Sequence, residues 1–317
     1  MTASHEISRT HWARIGESTF TLGIWFLYGI HRVFGRWPFR LCLYPVVLAH
    51  WLLRPGVRQA SMQYLQRLQA ATGTLGREPS RRDSLRHVAL FSETLLDKLL
   101  AVTGRYPFAK VRTQGREELY EYLSHGRGAM IITAHMGCME MCRAMGEARG
   151  AKINILVHTR HAERFNRLLE NLSPGHGVRL LEVAQTDPAF ASKLAERIEA
   201  GELVAVAGDR VPVTASQTVE AQFLGHTAQF PVGPYVLAAL LHCPLYLLTS
   251  IHEDDTYRIQ MERIADAVVL PRANRAQALG ELAQRYADAL TQRLIRSPYD
   301  WFNFFPFWNR HHDRAPR

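Results

Sequence analysis

The chain has 317 residues, 47% of them hydrophobic, and 38 Lys and Arg against 29 Asp and Glu, for a formal net charge of +9. That is ample for one large α/β domain with a helical N-terminal extension, and no internal repeat or low-complexity linker interrupts it. The four cysteines, Cys42, Cys138, Cys142 and Cys243, show no C-x-x-C spacing, which argues against a disulfide framework and against a zinc site. The positive excess attracts anions such as lipid headgroups, an acidic carrier protein or nucleic acid. The basic residues are spread along the chain, not interleaved with aromatics, and no nucleic-acid motif is present, so a membrane surface is favoured over nucleic acid.

Residues 20–30 are apolar; His31, Arg32, Arg36 and Arg40 then interrupt, and residues 41–53 are apolar again apart from His50. Each half is shorter than the ~20 residues of a spanning helix. Trp25, Trp37, Tyr44 and Trp51 among arginines suit an interfacial position. The first expectation is a monotopic hairpin or amphipathic anchor, the second a single tilted span; an apolar helix pair packed on the core is the structural alternative. A cleavable signal peptide is not expected, because no small-residue cleavage site precedes the charges. The polar stretch 72–83 separates this segment from the rest. The expected division is a membrane-associated helical segment, 1–75, and a catalytic domain, 76–317.

Residues 129–134 are small and apolar, as in a central parallel strand buried on both faces. His135 follows at the strand's carboxyl end, where open α/β sheets place their chemistry. Gly137 gives the chain room to turn, and residues 139–145 read as a helix with Glu140 in its first turn. On one continuous helix a five-residue offset would point two side chains about 140° apart. Across a strand–turn–helix junction His135 and Glu140 can meet, with the carboxylate fixing the imidazole tautomer of a general base. No G-x-S-x-G nucleophile is present, so the base acts directly on a substrate hydroxyl. A lone histidine of this kind otherwise serves as a helix cap or fills a polar gap. Cys138 beside it is a minor candidate for a covalent nucleophile.

A second strand, 153–160, ends in Arg160, and a helix over 162–172 places Phe165, Leu168, Leu169 and Leu172 on one face. An amphipathic helix over 189–199 leads to a third buried strand, 203–210, which ends in the charged pair Asp209 and Arg210. Asp209 either holds Arg210 in a buried pair or orients a substrate hydroxyl. Phe223, Gly225, Pro231, Gly233 and Pro234 then form a turn-rich block before an apolar helix over 235–241. Backbone N–H groups near that turn can bind a phosphate or an oxyanion. Residues 243–250 read as a fourth strand, 257–261 as an antiparallel edge strand, and 276–294 as a long amphipathic helix. The tail, 297–308, is dense in aromatics that serve as a core plug or line a lipid or aryl site.

His135 and Glu140 in an H-x4-E pattern after a strand, followed in order by the Arg160, Asp209 and Phe223/Gly225 blocks and a Trp-containing tail, resemble the glycerolipid and lipid A acyltransferase superfamily. The Asp209–Arg210 step and the Trp301-Phe-Asn-Phe-Phe tail are most similar to the branch found in aryl polyene clusters; lipid A enzymes usually carry Gln after that Asp. The resemblance implies a central mainly parallel or mixed sheet flanked by helices, with an apolar N-terminal anchor. It further implies His135 and Glu140 as a catalytic dyad and Arg160, Asp209, Arg210 and Gly225 as substrate-binding residues, with Arg160 on a phosphate or the acyl carrier.

The reaction the resemblance implies is O-acyl transfer from an acyl carrier protein or acyl-CoA thioester to a hydroxyl of a lipid or glycolipid. It would occur on the cytoplasmic face of the inner membrane, with no metal or cofactor and no nucleic-acid partner. A thioesterase or lipase-like hydrolase would turn the same dyad on water. A non-catalytic lipid-binding homologue would keep the fold and anchor.

Overall fold

The computed structural model describes residues 21–147, 150–157, 178–182, 188–211 and 217–308. Four helices come first: α1 (Thr21–Phe34), α2 (Arg36–Leu53), α3 (Pro55–Thr72) and α4 (Arg81–Val102). Then follow β1 (Arg112–Gln114), α5 (Arg116–Ser124), β2 (Met130–Thr133), α6 (Met139–Glu147), β3 (Ile153–Val157), β4 (Val178–Glu182), α7 (Pro188–Glu199) and β5 (Leu203–Ala207). A hairpin of β6 (Thr218–Phe223) and β7 (His226–Pro231), then α8 (Gly233–Leu240), β8 (Leu245–Glu253), β9 (Thr256–Ala265) and α9 (Arg275–Arg296), complete the described fold.

The main sheet has the order β1-β9-β8-β2-β5-β3-β4, with β8 and β9 antiparallel and the other neighbours parallel. It is the expected mixed sheet flanked by helices. β2 lies between β5 and β8, with Thr133 level with Ala207 and Leu248. Its two faces reach different cores. Met130 and Ile132 join Val204, Val206, Leu245 and Leu247 against Tyr235 of α8 and Tyr286 and Leu290 of α9. Ile131 packs with Ala205, Tyr246 and Leu119 of α5 on the other side. Burial on both sides is why this strand reads as an unbroken apolar run rather than an alternating one.

Three sequence expectations are revised. The strand expected over 257–261 is not at the sheet edge: β1 pairs outside it, Arg112 level with Arg258. With three polar residues, β1 carries too short a pattern to read from sequence. The turn-rich block folds largely as the β6–β7 hairpin, whose Phe230 ring packs 5.8 Å from that of Tyr286. Finally, no helix among the described residues is long and apolar enough to cross a membrane, which leaves the tilted span without a helix to form it.

α1 and α2 form a helical pair instead. α2 buries Phe39, Leu43, Val47 and Trp51, while Phe26, Val33, Phe34, Trp37, Leu41 and Leu53 stay exposed. Buried acids of α4 hold the pair down. Asp97 accepts both oxygens' worth of hydrogen bonds from Arg36, at 2.8 and 2.7 Å, and one from Tyr257 Oη at 2.9 Å. Glu93 accepts from Arg40 and from Tyr44 Oη. Removing one partner of such a pair costs more than the pair contributes, because the remaining charge is left desolvated.

Candidate active site

β2 ends at Thr133, and His135 lies two residues beyond. Because β5 is the parallel neighbour and Thr133 is level with Ala207, two further residues on each strand bring His135 beside Asp209. His135 Nδ1 lies 2.7 Å from Asp209 Oδ1, and the His135 backbone N–H donates to Oδ2 at 2.9 Å. Oδ2 accepts two more bonds, from Trp301 Nε1 and Asn303 Nδ2, each at 2.9 Å. Asp209 is fully buried, so each of these donors replaces lost hydration. Burial alone would raise its pKa, but the charge and hydrogen bonds of His135 and the charge of Arg210 hold it well below the usual carboxylate range. An ionised carboxylate only accepts, so Nδ1 carries its hydrogen and Nε2 presents a lone pair.

The imidazole itself is 35% exposed, enough to leave an edge open to a substrate. Burial and then the Arg210 charge lower the His135 pKa from its ordinary value, against the pull of Asp209. The ring is therefore neutral at pH 7, as a general base must be.

Glu140, the partner expected for His135, is paired elsewhere in this structure. Its Oε1 lies 3.2 Å from Lys98 Nζ of α4, and the Cys138 thiol lies 3.8 Å from Oε2. The turn at Gly137, φ +48°, sends α6 toward α4 instead of back over the histidine. A Cβ at Gly137 would lie 2.2 Å from the Ser250 carbonyl oxygen, so only glycine lets the loop press against β8. Burial raises the Cys138 and Cys142 thiols above the ordinary range, which leaves neither as a nucleophile near neutral pH.

The aromatic tail proves to be part of this site. Residues 300–303 run as a strap across the His135 loop: Gly137 N–H donates to Asp300 O at 3.1 Å, and Phe302 N–H donates to His135 O at 2.9 Å. Met136 and Trp301 form an antiparallel bridge. Arg210 donates from Nε to Asn303 Oδ1 at 2.8 Å and from Nη2 to Phe302 O at 3.0 Å. Asp209 thus holds the imidazole, a partner that neither sequence alternative named, while the Arg210 guanidinium grips the strap. The sequence signal for Trp301 and Asn303 was only their polar atoms within an apolar tail.

Gly225 sits apart, in the two-residue β6–β7 turn with φ +75°, facing Ala71 of α3. Arg160 and the helix expected over 162–172 lie outside the described residues.

Behind the strap, buried His87 places Nε2 2.9 Å from Trp301 O and Nδ1 3.0 Å from Ser61 Oγ. A neutral ring satisfies both, Nε2–H donating and Nδ1 accepting. Burial pushes its pKa down to about 4. Between that value and the unfolded value near 6.5, the unfolded chain binds the extra proton, so stability falls as pH drops through this window. The loss assigned to His87 is roughly 3 kcal/mol. Urea unfolding between pH 4 and 7 should show a slope that flattens in His87→Gln; equal slopes would mean that His87 is not buried neutral.

Residues 91–310, more than half of the chain, match the family model described as bacterial lipid A biosynthesis acyltransferase. No curated protein matches the chain.

Proposed function

The chain belongs to the bacterial lipid A biosynthesis acyltransferase family, and on that premise we propose that it is a membrane-associated O-acyltransferase with His135 as its general base. The observation that carries this reading is the His135–Asp209 pair at 2.7 Å, buried on the Asp209 side and open on the imidazole side. The donor is the thioester of an acyl carrier protein or of CoA, and the acceptor is a hydroxyl of a lipid or glycolipid.

Nε2 takes the acceptor's hydroxyl proton as that oxygen attacks the thioester carbonyl carbon. The C=O π pair moves onto oxygen, giving a tetrahedral oxyanion. Backbone N–H groups, with the nearby Arg210 and Lys98 charges, favour that anion over the neutral ground state. Collapse re-forms C=O and breaks C–S, and the imidazolium returns its proton to the leaving thiolate. Asp209 stays ionised throughout and stabilises the imidazolium. Glu140 acts on this site through Lys98. Arg160 and Gly225 are assigned to substrate binding by resemblance alone.

Two finer assignments accompany this reading. The exposed apolar side of α1 and α2, within residues 1–75, docks on the cytoplasmic face of the inner membrane, while residues 76–317 carry catalysis. The acyl group belongs to the aryl polyene class. Supporting the latter, the two sequence features that set that branch apart touch one another, Arg210 Nε against Asn303 Oδ1.

The test is product analysis with purified membranes, an acyl carrier protein thioester and a lipid extract. Wild type should yield a new acylated lipid, and His135→Ala should yield none. Equal product from both would remove His135 as the base. Free acid alone from wild type would mean a hydrolase acting on water.

A further inference from the structure

A second His–Asp pair stands beside the first, on the neighbouring strand. His252 is near the carboxyl end of β8, and Asp300 begins the strap. His252 Nδ1 lies 2.5 Å from Asp300 Oδ1, and the His252 backbone N–H donates to Oδ2, also at 2.5 Å. This repeats the pattern at His135, where Nδ1 and the backbone N–H of one residue grip the two oxygens of one carboxylate. Ser297 Oγ adds a third bond to Asp300 Oδ2 at 2.5 Å. The His252 ring packs 4.2 Å from the Tyr257 ring and is 20% exposed, with Asp300 fully buried.

Nothing in the reaction described above uses this pair. Its position does connect to that reaction. Asp300 O accepts the Gly137 N–H. The next residue, Trp301, donates to Asp209, and two residues further Asn303 bonds both Asp209 and Arg210. Three residues of chain therefore separate the His252 anchor from the groups that set the charge beside His135.

We propose that His252 is a positioning residue: through Asp300 it pins the strap of residues 300–303 across the His135 loop, and the pinned strap holds Asp209 and Arg210 at their places around His135. This rests on the reading of His135 as the base only for its effect on rate. Its effect on the His135 ring does not depend on that reading.

The consequence has a sign. The groups that set the His135 charge are Asp209 and Arg210 beyond β5 and Lys98 on α4. If the strap loosens, Asp209 loses the Trp301 and Asn303 donors and becomes more basic, so it holds an imidazolium more strongly. Arg210 loses the strap acceptors that keep its charge near the ring. Both changes raise the His135 midpoint. A loss of stability alone, in a protein still folded, would not move it.

The experiment is a histidine NMR titration of the full chain in detergent, with the His135 signal identified by its loss in His135→Gln. In His252→Leu the His135 midpoint should rise by about one pH unit. The rate of acyl transfer from an acyl carrier protein thioester should fall about tenfold, mostly in kcat, as the base loses alignment. His252→Asn, which offers an N–H near the place of Nδ1, should restore both. If His252→Leu does not fold, Ser297→Ala removes one of the three Asp300 donors and should give a smaller rise in the same direction. An unmoved His135 midpoint in the folded variant, or no recovery in His252→Asn, overturns the proposal. Transfer that survives in His135→Ala would instead count against His135 as the base, leaving the midpoint shift as the measure of the strap.

Discussion

In Asp209→Asn, kcat/KM for acyl transfer falls by about 10³–10⁴-fold while the fold is retained. The carboxylate receives four donors: two from His135, one from Trp301 and one from Asn303. An amide of the same shape offers one oxygen and one NH₂. If the oxygen faces Trp301, Asn303 and the His135 N–H, the NH₂ faces Nδ1, which must then accept. The proton moves to Nε2, and the base presents N–H where a lone pair is required. The same substitution in a Ser-His-Asp enzyme costs about 10⁴ in kcat for this reason. The imidazolium also loses its counter-charge. Steady-state kinetics of acyl transfer in Asp209→Asn, His135→Ala and the double variant check this. The double should lose little beyond the worse single, because the two act as one unit. Additive losses would mean that Asp209 acts on something other than the histidine.

Trp301→Ala lowers stability by about 3–5 kcal/mol, a large share of the 5–15 kcal/mol typical of a folded domain. Trp301 is fully buried, and its ring packs 4.8 Å from Phe307 and 5.2 Å from both Tyr64 and Phe223. Truncation opens a cavity where α3, the β6–β7 hairpin and the tail meet, and it also takes one donor from buried Asp209. Trp301→Phe separates the two effects. It keeps most of the ring contacts but lacks Nε1, so most of the stability should return while the acid limb of the kcat/KM profile moves to higher pH. Urea midpoints and a pH–rate profile read the two quantities independently. A Phe variant as unstable as Ala, with an unmoved acid limb, would confine Trp301 to packing.

Much of the frame is legible along the chain because its signals are local. The apolar runs behind β2, β5 and β8 and the helical stripes of α7 and α9 lie close to where periodicity places them. His135 stands out because a strand end, a histidine and a glycine follow one another within a few residues. The β6–β7 hairpin was hidden because glycine and prolines on either side of Phe230 look like loop. β1 was hidden because three polar residues carry no pattern.

The partner of His135 shows where such reading stops. Glu140 is five residues away and Asp209 is 74 residues away, and only the nearer one can be weighed without knowing which strands are neighbours. By itself, the sequence determined the sheet-forming runs, the histidine at a strand's carboxyl end, the apolar and basic N-terminal helices and the acyltransferase family. Tertiary structure alone decided that β5 lies beside β2 in a register that sets Asp209 next to His135. It also decided that Gly137 turns Glu140 toward Lys98, and that the C-terminal strap supplies Trp301 and Asn303. The reason is physical: propensity and periodicity act over a few residues, whereas hydrogen bonds to a buried carboxylate are set by which distant segments the sheet brings within about 3 Å.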